Sequence, residues 1–261
     1  MVESKESKVP IVAELLGHMG CAIASAAIVA PFISIIDQSI FSNASGKEPM
    51  TQCLKNNFRK LIFQPSAIFS SKSFKWIWLV YSGTYIVANS IELLCTRNSI
   101  DWYIPKFLGS SVTNISLSLL KDQAFSKMFG VVKPKSLPPS SFVLFAMRDS
   151  ITIGSSFNLP YTISQNLQHS YQWNKTVADT TAQLVTPVAM QLFSAPLHLL
   201  GMDIYNSPAH TSAERAAFCK REFVKTTAAR MGRVFPAFGV GGVSNFYMKK
   251  ATSKFLDNVW A

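Results

Sequence analysis

Charge is scarce in this sequence. Asp, Glu, Lys and Arg make up 15% of the 261 residues, against about 25% in ordinary globular domains. So few charges cannot cover a water-facing surface, and the abundant phenylalanine and positive mean hydropathy point the same way, to a membrane protein. Metal-ligand spacing is missing too. Cys21, Cys53, Cys95 and Cys219 stand far apart with no CxxC or Cys/His pattern, which argues against a disulfide scaffold or zinc site and leaves reduced thiols. His18, His169, His198 and His210 show neither H-E-x-x-H nor facial-triad spacing. There is no GxSxG elbow, no P-loop and no dinucleotide fingerprint. The GVGG of 239–242 follows no strand and reads as close helix packing. No enzyme, cofactor or metal is therefore expected. The net charge of +11 comes without zinc-finger spacing or RNP-like aromatics, so anionic lipid or membrane orientation is the expected reason for it, and nucleic acid is not. The opening MVESKESKVP carries acids that a mitochondrial presequence avoids, and any organelle address is expected to be internal.

What the chain does have is a series of apolar runs. Leu15 to Ile36 holds no formal charge and is long enough to cross a bilayer as one helix. Gly17, Gly20, Ala22 and Ala26 permit close helix approach, and Pro31 is expected to kink this helix rather than end it. Trp76 to Cys95 is a second span, anchored by Lys75 and its tryptophans and ending at Glu92 and Arg97. Phe107 to Leu120 is short, and reaches spanning length only by running from Ile104 to Phe129 with Lys121 and Asp122 turned inward. Phe142 to Ile163 contains the adjacent Arg148 and Asp149, an intramembrane pair that either faces a cavity or locks helices together. A polar linker, Gln165 to Lys175, leads to Ala182 through Met202, where His198 beside Pro196 is read as a satisfied core histidine. Val234 to Met248 is the sixth span.

Between the spans the chain is basic. Leu54, Phe58, Leu61 and Ile62 recur at helical spacing among Lys55, Arg59 and Lys60, the pattern of an amphipathic helix lying at an interface or on a soluble core. Ser207 to Arg233 is a second such segment. The basic segments after spans one, three and five share one side, which the positive-inside rule makes the matrix or cytoplasmic face. Apolar runs closing on Asp37, Asp122 and Asp203 recur at intervals of roughly eighty residues, which is repeat behaviour. Asn89, Asn158 and Asn245 stand at similar depth in the even spans, either lining a central pore or bonding neighbouring helices. The expected fold is all-α: one membrane domain, a six-transmembrane-helix bundle of three divergent helix-pair repeats covering roughly 11–97, 98–170 and 176–261, each pair joined by a basic amphipathic segment.

Three such pairs, with Pro31 and Pro196 near the ends of odd helices and Arg233-Val234-Phe235-Pro236 opening the last, resemble the mitochondrial carrier family. The acids, Asp37 and Asp203, come later after their prolines than in P-x-[DE]-x-x-[KR], and the second repeat has no proline. The stretches PFISIIDQSIFSNASGKEPM, YSGTYIVANSIE, SAPLHLLGMDIYNSP and RVFPAFGVGGVSN also resemble blocks of a fungal family of uncharacterised mitochondrial membrane proteins. The resemblance implies a mitochondrial location, with the inner membrane expected in preference to the outer, and a solute transporter working by alternating access. On that reading Arg148 and Arg233, with Asp149 beside them, meet a small anionic solute, Asn89, Asn158 and Asn245 orient it, and Asp37, Asp122 and Asp203 form the gate on the basic side. The alternative is a non-transporting scaffold or adaptor that kept the layout and lost the gate.

Overall fold

In the computed structural model residues 9–131, 136–157 and 159–260 are described. They form helices and no strand. Helix α1 (Ile11–Ala44) is followed by α2 (Met50–Phe63), a short α3 (Pro65–Phe69) and α4 (Lys72–Arg97). Then come α5 (Tyr103–Phe129), α6 (Pro139–Phe157), α7 (Leu159–Tyr171), α8 (Lys175–Ala189) and α9 (Gln191–Asn206). Helix α10 (Ser212–Val234) passes through a π-helical stretch (Phe235–Gly241) into α11 (Gly242–Trp260). Among the described residues three helical stretches are long and apolar enough to cross a membrane: Ile11–Ala44, Lys72–Arg97 and Leu184–Asn206, the last running across the turn between α8 and α9.

Helix α1 holds the bundle together. At 1.5 Å per residue its 34 residues reach roughly 50 Å, beyond the ~30 Å hydrocarbon core. Its inner face is Cys21, Ala22, Ser25, Ala26, Val29, Ala30 and Ile33, all buried, while Val12, Leu16, Ile28 and Phe32 face outward. Small inner residues let α4 pack along one side and α11 along the other. On the α11 side, His18 Nε2 lies 3.0 Å from Ser253 Oγ and Cys21 Sγ lies 3.1 Å from Thr252 Oγ1. A Cβ on Gly17 would come within 2.8 Å of Thr252 Cγ2. Round the bundle, α1 packs on α4, α4 on α5, α5 on α6, α6 on α9 and α9 on α10, and the π-helical stretch after α10 returns to α1.

Several expected boundaries move. The stretch expected as the third span lies in one helix from Tyr103 to Phe129 with Lys121 and Asp122 buried and paired, and it is not among the three stretches long and apolar enough to cross a membrane. The linker expected over 165–175 is mostly helical: α7 continues to Tyr171 and stops where Gln172 adopts a left-handed φ of 54°. The fifth span is broken at Met190, with Gln191 Nε2 capping the Pro187 carbonyl. The sixth does not start afresh at Val234. Pro236 has no N–H to give, so the ladder slips to the wider π register and the helix carries on, with Tyr85 Oη donating to the Ala237 carbonyl. The interval 130–138 is too short for a second-pair counterpart of α2 or α10, so the amphipathic segment expected in every pair is present in two.

Candidate functional site

Adjacent residues in a helix leave the axis about 100° apart, so an adjacent ion pair also reaches different neighbours. Lys121 and Asp122 on α5 pair with each other (2.8 Å) and each takes a further partner. Lys121 Nζ reaches back to Asp37 on α1 (2.8 Å), and Asp122 meets the Arg148 guanidinium of α6. Arg148 also grips Asp149 through Nε (2.9 Å) and Nη2 (2.7 Å), and its Nη1 lies 2.9 Å from His198 Nδ1 of α9. Arg233 at the end of α10 closes the chain, its Nη1 2.6 and 2.8 Å from the two oxygens of Asp37. The signs alternate, Arg233, Asp37, Lys121, Asp122, Arg148, Asp149, across α10, α1, α5 and α6. Asp37, Lys121, Asp122 and Arg148 are each at most 4% exposed. Because a guanidinium only donates, His198 Nδ1 must accept, which places the histidine proton on Nε2. The imidazole sits against Phe41 and Phe145.

Arg230, one turn before Arg233, is also 2% exposed, yet its partners are neutral: Gln191 Oε1 at 3.1 Å and Ser194 Oγ at 3.3 Å. Three buried carboxylates (Asp37, Asp122, Asp149) thus sit among three buried cations (Lys121, Arg148, Arg230) and the half-buried Arg233. Among the described residues the network carries one positive charge in excess.

This network floors a cavity of about 460 Å³. The floor is made by Asp37, Lys121, Asp149, Gln191 and Arg233, and the wall by Tyr81, Thr84, Tyr85, Asn114 and Ser118. At the far end stands a second ion cluster that also lines the cavity: Glu92 of α4 takes Lys106 of α5 on one oxygen (2.6 Å) and Lys249 of α11 on the other (2.8 Å). From Lys121 to Lys106 along α5 is roughly 22 Å at helical rise. Just inside that end Asn89 and Asn245 exchange hydrogen bonds, each Nδ2 3.0 Å from the other's Oδ1, and Asn89 Nδ2 also donates to the His18 carbonyl (3.1 Å).

The expected site residues are therefore partly brought together and partly not. Arg148, Asp149, Arg233, Asp37 and Asp122 share one network, so the residues assigned to solute and those assigned to the gate are bound to each other. Arg148 is not in the described lining, and each of its three guanidinium nitrogens is engaged by Asp122, Asp149 or His198. Asn89 and Asn245 meet at the other end, bonded across helices and lining the cavity. Asn158 lies outside the described residues. Asp203 does not join the other two acids. It is held by Arg215 (2.6 Å) and His210 (2.9 Å), because α9 ends there and α10 folds back over it. Sequence reading passed over Lys121's pairing, Arg230, Gln191, Lys106 and Lys249. The lysines looked like span boundaries and Arg230 like one more charge on a basic face. The signal that could have found Arg230 is its position one turn before Arg233, on the side that enters the bundle.

Helices throughout the described residues, three of them of membrane length, and a cavity bounded by ion clusters fit a membrane protein of the transporter class. A family model described as "Probable citrulline exporter" matches residues 21–253, and the chain belongs to that family. No curated protein matches it.

Proposed function

We propose that the protein is a transporter that exports citrulline, or an α-amino acid of the same ureido class, by alternating access through a six-helix, carrier-like bundle in the mitochondrial inner membrane, and that it carries out no covalent chemistry. The observation that carries this is the cavity. Its 460 Å³ falls within the range of about 300–1,000 Å³ usual for small-molecule sites, and it is lined by polar groups and closed at one end by buried ion pairs. A carrier-derived scaffold with no cargo has no use for such a volume.

The contacts between helices support the carrier-like layout. Helix α1 packs on α4, α5 on α6, and α9 on α10, the helix after α10 packs on α1, and neighbouring contacts run round a closed ring. The paired carboxylates beside Arg148 and Arg233 favour a zwitterion over the anionic solute that arginines alone suggest. Anionic lipid is the expected partner of α2, where Ile62 and Phe63 are more than 70% exposed beside Lys55, Arg59 and Lys60. Mitochondrial placement is supported by the sequence blocks described above, and fractionation of tagged protein with inner-membrane markers tests it. The decisive experiment is reconstitution into liposomes preloaded with labelled L-citrulline. Time-dependent release above that of empty liposomes is expected, and release at the protein-free rate would overturn the reading.

A further inference from the structure

The half of the cavity remote from the buried network has a donor and acceptor arrangement of its own. Asn89 and Glu92 are three residues apart on α4, and Asn245 and Lys249 four apart on α11, so each pair lies on one helix face. The helical rise puts the amide pair about 4.5–6 Å from the charged cluster. All four side chains line the cavity, joined by Lys106.

The unused valences here have a definite character. Asn89 Nδ2 spends both protons, on His18 and on Asn245. Asn245 Nδ2 spends one, on Asn89. A second N–H and a second carbonyl lone pair of Asn245 remain, which together match a group offering a carbonyl and an N–H side by side. Glu92 has both oxygens engaged by lysines, and each ammonium keeps two further protons. One carboxylate against two ammoniums leaves this end with room for one more anionic group and an oxygen surface for a cationic one.

We propose that this end of the cavity is the recognition site for the cargo: Asn245, backed by Asn89, reads the ureido group, while Lys106 and Lys249 hold the α-carboxylate and Glu92 the α-ammonium. The proposal rests on the exporter reading above and deepens it. From Cα to the ureido carbon is five bonds, about 6 Å extended, which matches the separation of the amide pair from the ion cluster. Arginine has the same length but no acceptor for the Asn245 N–H, and brings a cation toward two lysines. Norleucine reaches only as far as the inner ureido nitrogen, one atom short of the ureido carbon, and leaves the amide edge unpaired.

Uptake of labelled L-citrulline by proteoliposomes holding the full chain, competed with unlabelled L-citrulline, L-norleucine or L-arginine, tests it. For the unsubstituted protein norleucine and arginine should each compete on the order of tenfold or more weakly than citrulline. Asn245→Leu, shown to be folded by its melting curve, should raise the KM for citrulline and bring citrulline and norleucine to similar potency. Equal competition by citrulline and norleucine in the unsubstituted protein, or an unchanged preference in Asn245→Leu, would overturn the assignment while leaving the exporter reading standing. Should Asn245→Leu fail to fold, the ranking of the three competitors decides alone. No citrulline uptake at all by the unsubstituted protein removes the exporter reading and this site with it.

Discussion

Removing Arg148 would strand Asp149 and leave Asp122 to Lys121 alone, whereas removing Arg230 would strand no carboxylate. Arg148 is the shared cation of Asp122 and Asp149, and a buried ion pair broken on one side costs about 3–5 kcal/mol because the remaining charge stays buried. Arg148→Gln is therefore expected to lower the melting temperature of the detergent-purified protein sharply. A small change in Tm would mean that the network relaxes or takes in water. Arg230 has a glutamine and a serine for partners, so Arg230→Met exchanges a charge without a carboxylate for packing of similar length. No carboxylate is left unpaired, so the cost of about 3–5 kcal/mol for a stranded buried charge does not arise. Arg230→Met should therefore lower Tm much less than Arg148→Gln, although both remove a buried arginine of comparable exposure.

At the scale of the element, helix crossings and caps set the sensitive positions. Gly201 of α9 faces the Phe145 ring of α6, and a Cβ there would come within 2.6 Å of the ring. Phe145 is fully buried and has nowhere to turn. Gly201→Ala should destabilise by roughly 1–3 kcal/mol, as overpacking does, and Gly154→Ala, with nothing among the described residues within 4 Å, should not. The start of α10 is a capping box in which Glu214 Oε2 accepts from the Thr211 backbone N–H (2.7 Å) and hydroxyl (2.8 Å). Those hydrogen bonds hold the Glu214 carboxyl below its ordinary value of 4.5. A lowered folded pKa stabilises the folded cap fully above the ordinary value and loses that contribution as pH falls through the folded one. Amide protection at the start of α10 should be constant from pH 7 to about 5 and decline below about 4.5; protection that holds down to pH 3 would contradict this.

The same scale shows what could be read in the residues. Leu15 to Ile36 and Trp76 to Cys95 announced α1 and α4, because a charge-free apolar run of that length fits little besides a helix crossing a bilayer. Lys121-Asp122 and Arg148-Asp149 announced a buried network because ions in apolar helices need partners. Which partner each would choose was not legible, since that depends on helix rotation and crossing. Asp37, Asp122 and Asp203 ended similar runs, yet only the first two face the bundle, and Asp203 is claimed by a helix that folds back on it. The continuous passage from α10 into α11 was hidden for a simpler reason. Arg233-Val234-Phe235-Pro236 looks like a helix beginning, and a proline that slips the register to π leaves no other mark.

The network at the floor of the cavity holds one positive charge beyond its carboxylates, and for the molecule as a whole this has an electrical consequence. A zwitterionic cargo carries no net charge, so a membrane potential cannot alter its distribution at equilibrium. The protein's own excess charge feels the field when the bundle switches the side to which its cavity opens. Carrying one elementary charge across the full thickness is worth about 2.3 kcal/mol per 100 mV, and a fraction of that path is enough to alter a rate. Proteoliposomes clamped with potassium and valinomycin should show citrulline exchange whose speed follows the imposed voltage while its end point does not. Arg230→Met, which removes one of the two excess charges, the other being at the Glu92, Lys106 and Lys249 cluster, should weaken that dependence, making an arginine bound to a glutamine and a serine part of the voltage sensor of the proposed exporter.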